Sequence, residues 1–296
     1  MQRWKTAAMR PAVVVVIVVQ SLGLQAAWTQ EPAQPRIEKE IEKQEKIYHS
    51  RGADVPSGYI TGRALSEYAE LLPAGFCDAL GSLGGSDHWL DVGAGAGEAI
   101  LDYYAAAGDD ALPAGKCTRL AGRASAVALS IEDRRTDKWR RQATLLDGRM
   151  QYLAGRRLRQ YSPAELGKFQ IITDVYGGFS YTDTLSEFVE RVLSLLEVGG
   201  VFYSMVQVAH MEDGTEKSST SRLTELVDRA GHDVKVCSWL KQIGCAQVSC
   251  ESRTDWSAPI ELVRMRKLCS DVSVPRVKLV KFEAGNPPGR LFQLEP

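Results

Sequence analysis

The chain has 296 residues, of which 44% are hydrophobic and 25% charged, with a formal net charge of -1. That length supports one large domain with a sizeable core, and the composition is ordinary for a globular protein. The near-neutral balance gives no electrostatic case for nucleic acid as the main partner, so a small-molecule or protein substrate is the better starting point.

The first thirty residues differ from the rest. Arg3, Lys5 and Arg10 precede an uncharged run from Pro11 to Trp28 whose core is Val13 to Val19. A basic start, an apolar centre and small residues near Ala26-Ala27 read as a secretory signal. The same run is near the lower length limit of a membrane span, so an uncleaved anchor is the alternative. Either way residues 1–30 direct the domain to be exported or membrane-anchored, periplasmic or secreted, with membrane contact only through residues 11–28. A mis-chosen start would instead leave the protein in the cytoplasm.

Residues 29–36 form a polar, proline-containing linker. Beyond it Ile37, Ile41 and Tyr48 fall on one side of a Glu/Lys-rich stretch, which predicts an amphipathic, mostly solvated helix. Further helices are expected from Gly62 to Leu72, ended by Pro73, and from Gly75 to Leu83. Residues 31–85 thus read as a linker and helical cap ahead of a main domain at 86–296.

The most informative stretch is His88-Trp89-Leu90-Asp91-Val92-Gly93-Ala94-Gly95-Ala96-Gly97-Glu98. An apolar strand ending in alternating glycines and passing into a helix brings backbone close to a ligand, because no Cβ stands in the way. The dinucleotide fingerprint is G-x-G-x-x-G, whereas the spacing here is G-x-G-x-G. Acidic groups on both sides, Asp91 and Glu98, would repel a pyrophosphate and suit a ligand carrying positive charge, such as a sulfonium. Leu90–Ala99 resembles the first motif of class I S-adenosylmethionine-dependent methyltransferases.

After this motif the text alternates between helix and strand signals, the mark of a parallel sheet. A helix is expected at 97–107, an insertion at 108–124, strand two at 125–131, a charged helix near 136–146 and a weak strand at 150–154. Strand four, 169–174, is clear. A helix from Thr184 to Leu196 carries apolar residues at helical spacing, Gly199-Gly200 stops it, and strand five is 201–206. Leu223, Leu226 and Val227 mark another helix, followed by candidate strands at 245–251 and 277–283. The resemblance implies an α/β, Rossmann-like class I methyltransferase fold: a mostly parallel seven-stranded sheet with an antiparallel closing strand and an N-terminal helical cap over the ligand mouth.

The resemblance also implies a cofactor, S-adenosyl-L-methionine, and places residues around it. Gly93, Gly95 and Gly97 would lie beside its amino acid part, with Asp91 holding the loop. A carboxylate after strand two would accept from both ribose hydroxyls. Glu132 holds that position, with Asp133 the fallback and a helix-capping role for Glu132 the alternative. Asp174-Val175-Tyr176-Gly177-Gly178 resembles the fourth motif, at the edge where the methyl group would face its acceptor. Tyr176, Phe179 and Tyr181 follow, either as ligand-facing aromatics or as core. Asp174 also counts among the cofactor-binding residues, and Asp174 and Tyr176 are the catalytic candidates, with His210 behind them.

Cys77, Cys117, Cys237, Cys245, Cys250 and Cys269 are an even number that permits disulfides outside the cytoplasm, or they are buried small apolar residues. They lack paired C-x-x-C spacing, so no metal site is expected. The expected function is methyl transfer to a small-molecule or protein acceptor by in-line displacement. The rivals are a nicotinamide-dependent oxidoreductase and a catalytically idle binding protein of the same fold.

Overall fold

The structure is a computed structural model describing residues 33–49, 62–105, 117, 120, 122–214, 223–254 and 259–296. The expected leader at 1–30 and most of the 108–124 insertion lie outside the described residues. The strands are β1 (His88–Val92), β2 (Ser125–Ser130), β3 (Met150–Ala154), β4 (Phe169–Val175), β5 (Leu196–Gln207), β6 (Thr224–Val227), β7 (Ala246–Arg253), β8 (Ile260–Lys267), β9 (Val277–Glu283) and β10 (Gly289–Leu294). The helices are α1 (Ala33–His49), α2 (Leu65–Leu71), α3 (Phe76–Gly81), α4 (Glu98–Ala105), α5 (Asp137–Leu145), α6 (Pro163–Leu166), α7 (Gly178–Tyr181), α8 (Leu185–Leu195) and α9 (Val236–Leu240).

Seven strands form one sheet in the order β3-β2-β1-β4-β5-β8-β7. The first five run parallel, and β8 pairs antiparallel with both β5 and β7. This is the seven-stranded, mostly parallel sheet that the resemblance implied. β1 is central because its side chains have apolar partners on both faces: Leu90 and Val92 join one core cluster, Trp89 the other. Strand order reverses at β1, where one connection leads outward to β2 and β4 lies on the other side, so a crevice opens at the carboxyl ends of β1 and β4.

α8 forms as expected. Leu185, Phe188, Val189, Val192 and Leu195 recur at helical spacing and are all buried. Each such side chain contributes roughly 1.5–3 kcal/mol by leaving water. The chain turns directly from α8 into β5, so the glycine pair lies inside the strand rather than before it. Gly200 is tightly enclosed there: a Cβ would approach Glu197 O at 3.0 Å and Phe169 O at 3.0 Å.

Two further expectations are corrected. Residues 224–227 are a strand, not a helix, because β10 pairs with them in parallel register from Arg290↔Thr224 to Gln293↔Val227. They belong to a second, three-stranded sheet, β6-β10-β9. The closing hairpin is β7 with β8, and the expected strand at 277–283 lies in the smaller sheet instead. β8 was hidden by its charges: Glu261 and Lys267 are both buried in it, and Lys267 Nζ donates to Leu193 O (2.7 Å) and Leu196 O (2.9 Å).

α1 packs against β9, and its Glu40 and Gln44 accept from the amides of Ala284 and Gly285 at 2.8 Å each. α2 packs on α4. The six cysteines form three disulfides: Cys77–Cys117, Cys237–Cys250 and Cys245–Cys269. Among the described residues no helix is long and apolar enough to cross a membrane.

Candidate functional site

A cavity of about 440 Å³ opens over the carboxyl edge of the sheet. Its lining brings together Gly93 and Gly95 after β1, Ser130 and Ile131 at the end of β2, Leu158 after β3, and Tyr176 to Gly178 after β4. Tyr48 of α1, Arg63 and Glu67 near the start of α2, and Asn286 and Pro287 from the β9–β10 turn also line it.

The glycine loops are built for close approach. Gly93, Gly95 and Gly97 all have positive φ (78°, 56° and 78°), which a side chain strains. A Cβ on Gly93 would lie 2.5 Å from Gly177 Cα, so the loops after β1 and β4 touch backbone to backbone. The amides of Gly93 and Ala94 donate to Leu129 O at 2.8 and 3.1 Å, which ties the loop to β2 rather than leaving those two donors for a ligand. Gly97 does not line the cavity; a Cβ there would meet Trp139 Cζ3 at 2.3 Å, so its smallness serves the packing of α5. Glu98 is not in the lining either, and its carboxylate reaches Lys138 at 3.8 Å. The acidic flank that sequence spacing suggested is therefore Asp91 alone.

Asp91 lies beneath the loop, 0% exposed. Tyr68 Oη donates to its Oδ2 at 2.8 Å and Thr173 Oγ1 to its Oδ1 at 2.7 Å, while Trp89 Nε1 donates to Thr173 Oγ1 at 2.9 Å. Burial pushes its carboxyl up to about 7, against the pull of Thr173, Tyr68 and Arg63. The loop is held from the other side by Tyr152, whose hydroxyl donates to Gly95 O at 2.6 Å.

Asp174 is also 0% exposed and does not line the cavity. Its two oxygens accept from the amides of Gly177 (3.0 Å) and Phe179 (2.9 Å), so it shapes the loop after β4. Both oxygens are thus turned to its own loop and away from the cavity that its place in the motif, as catalytic and cofactor-binding candidate, would have it face. Burial raises it to about 7, with those two amides pulling down and Asp91 adding to the rise. Tyr176 does line the cavity, in a left-handed conformation (φ 52°), with Arg63 stacked 5.0 Å from its ring centroid. Burial raises its phenol, against the pull of Arg63 and of a hydrogen bond with Gln207.

Glu132, 9% exposed, stands beside the lining residues Ile131 and Arg134. Its oxygens are engaged by His49 Nδ1 (3.2 Å) and Arg134 Nη2 (3.1 Å). Asp133, the fallback, points to Arg135 in a two-pronged contact, which holds its carboxyl low at about 2. His210 lies outside the lining, 3.4 Å from Asp233. Phe179 is core, while Tyr181 reaches the cavity and its hydroxyl donates to Asn286 Oδ1.

Sequence reasoning missed Arg290. It is 2% exposed in β10 and donates to Phe179 O (2.9 Å), Thr182 O (2.8 Å) and Thr224 Oγ1 (2.6 Å). It thus joins the small sheet to the loop after β4. Burial lowers its guanidinium to about 10, with Tyr48 and Asp174 among the groups that resist the fall. An arginine in an ordinary amphipathic strand carries no local signal of such a role. Tyr68 could have been suspected only as one of several apolar positions on α2.

No family model and no curated protein matches the sequence. Among solved structures the chain is similar to an rRNA methylase from Streptococcus thermophilus (14% identity, 65% of this chain and 94% of that one, TM-score 0.40). It is also similar to geranyl diphosphate methyltransferase in complex with SAM (15% identity, 69% and 85% covered, TM-score 0.45). A third is the N-terminal domain of EvdMO1 with SAH bound (11% identity, 80% and 97% covered, TM-score 0.43).

Proposed function

We propose that this chain is an S-adenosylmethionine-dependent methyltransferase acting on a small-molecule or protein acceptor. The observation that carries the reading is the meeting of Gly93 and Gly177 at the point where strand order reverses, with Asp91 buried behind them and a cavity in front. Fold alone would not support it; the site does.

The residues present fit the cofactor. Gly93 and Gly95 put bare backbone on the cavity wall, each at a positive φ that a side chain would strain. Leu129, Ile131 and Leu158 supply an apolar surface for a flat ring. Glu132 offers two carboxylate oxygens to a pair of ribose hydroxyls, in exchange for its present contacts with His49 and Arg134. When bound, the cofactor supplies a methyl group whose bond to sulfur breaks as an acceptor lone pair attacks in line. Such a displacement asks the protein chiefly for alignment and exclusion of water. Tyr48, Tyr176 and Tyr181, together with Asn286 and Pro287, form the wall that would exclude it.

The test is calorimetric titration of the full chain with S-adenosylhomocysteine and, separately, with a nicotinamide dinucleotide. Saturable binding of the first, lost in Gly95→Val, is expected. Binding of the dinucleotide alone would overturn the reading in favour of an oxidoreductase. Binding of the adenosyl compound without methyl transfer to any acceptor in a broad panel would favour an idle binding protein.

We further propose that the protein is exported or membrane-anchored. Three disulfides support that reading, since such bonds persist in oxidising compartments. Fractionation with N-terminal sequencing of the mature protein tests it; an intact start on a cytoplasmic protein would overturn it.

A further inference from the structure

The cavity walls carry more positive charge than the reading above uses. Arg63, Arg134, Arg157, Arg159 and Arg191 line it, against only two carboxylates, Glu67 and Asp183. Arg134 is paired with Glu132 at 3.1 Å, Arg157 with Glu45, and Arg159 with Asp183 at 3.0 Å. Arg63 lies over the Tyr176 ring. Arg191 is half-buried, and among the described residues its guanidinium has no ion pair or hydrogen bond.

The fold explains where Arg191 sits. Thr184, Phe188 and Arg191 follow one another at i, i+4 and i+7, and all three line the cavity, so one side of α8 fronts it. The short turn of helix at Leu158–Gln160 packs against α8, and Arg159 reaches from it to Asp183 Oδ1 (3.0 Å) and Thr184 Oγ1 (3.4 Å). Phe188 adds apolar surface to the same side of the cavity.

We propose that this wall is an anion subsite, and that the acceptor is a small molecule carrying a compact anion, a carboxylate or phosphate, on an apolar body. The inference rests on the methyltransferase reading and narrows its substrate class. Charge counting supports it. Even with Glu132 and Glu45 added to the two lining carboxylates, five guanidiniums face four anions, a surplus of one. A sulfonium, an ammonium and a carboxylate sum to one positive charge on the cofactor, which enlarges the surplus. A protonated amine would meet repulsion there, whereas an anion completes the balance. The planar fork of arginine also matches carboxylate and phosphate oxygens two at a time.

The experiment uses the full chain saturated with S-adenosylhomocysteine, at ionic strength held constant with chloride. Inorganic phosphate is titrated and followed by phosphorus NMR, with acetate in a parallel titration to separate the two anion chemistries. Saturable binding of either anion is expected, weakened at least fivefold in Arg191→Gln, with affinity for the adenosyl compound within twofold of the parent. Circular dichroism and the thermal midpoint check that the variant is folded. No saturable anion binding, an unchanged anion affinity in Arg191→Gln, or mutual exclusion of anion and adenosyl compound would each overturn the subsite. Failure of the adenosyl compound to bind the parent chain would instead sink the cofactor reading itself, and is seen in the first titration before any anion is added.

Discussion

Gly177 lies against both the end of β1 and the loop after it: a Cβ added to it would come within 2.3 Å of Val92 O, and a Cβ on Gly93 would come within 2.5 Å of Gly177 Cα. The loops that follow β1 and β4 are therefore one structural unit, and the cavity in front inherits its shape from their contact. In Gly177→Ala the methyl group must push the β4 loop away from β1. A stability loss of about 1–3 kcal/mol is expected, the scale of overpacking. Affinity for S-adenosylhomocysteine should fall at least tenfold. Urea unfolding and calorimetry check the two numbers separately, and unchanged binding would show that the ligand does not sense this junction.

Glu132→Gln keeps the shape of the side chain and removes its charge. If the carboxylate exchanges His49 and Arg134 for ribose hydroxyls, affinity should drop by about 1–3 kcal/mol, the scale of hydrogen bonds to a charged group. His49→Ala, which removes a competitor for the same oxygens, should not weaken binding. A normal affinity in the glutamine variant would move the ribose contact elsewhere.

The two buried carboxyls make a statement about pH. Asp91 and Asp174 are both raised to about 7 by burial, from an ordinary value near 4. Between those values the folded state binds more protons than the unfolded chain, so stability falls as pH rises from about 4 to about 7. Tyr68, Thr173 and Arg63 oppose the rise at Asp91, and the Gly177 and Phe179 amides with Arg290 oppose it at Asp174. At the acid end Asp133 and Glu165, both held at about 2 by arginine and hydrogen-bond partners, act the other way. Their contribution is present above the ordinary carboxylate range and is lost as pH falls towards 2, though both are exposed and their effect is small. Urea midpoints should thus peak near pH 4–5, decline toward pH 7 and level off above it. Asp91→Asn should flatten the decline, and an equally steep curve in that variant would show that Asp91 is already ionised at neutral pH.

Arg290→Met removes the fork that holds Phe179 O, Thr182 O and Thr224 Oγ1. Two buried acceptors and one half-buried one then lose their donor, and a loss of about 2–4 kcal/mol is expected. Because the contacts lie on the loop carrying Tyr181, binding at the cavity should weaken as well. Arg290→Lys, which keeps the charge but not the fork, should recover stability only in part. Chemical denaturation of the three proteins provides the comparison; equal midpoints would mean the fork is dispensable.

Local text made much of this protein legible. An apolar run ending in alternating glycines announces β1 and its loop, since only glycine tolerates positive φ with backbone so near. The periodicity of Leu185 to Leu195 announces α8, because one buried face repeats at the helical interval. The positions of Gly93 and Gly95 on the cavity wall follow from the same reasoning. What escaped it were features created by distant neighbours. Residues 224–227 are a strand because β10, some sixty residues later, offers them hydrogen-bond partners, and β8 can hide Lys267 because two carbonyls of the α8 terminus receive its protons. Asp174 stands in the motif where a catalytic group was expected, yet it is sealed under its own loop. Glu98 follows the glycines but turns to a lysine on α5, while Arg290 and Asn286 arrive at the site from the far end of the chain. A buried polar group must find a partner somewhere, and sequence spacing carries no information on a partner brought near only by the folding of everything between.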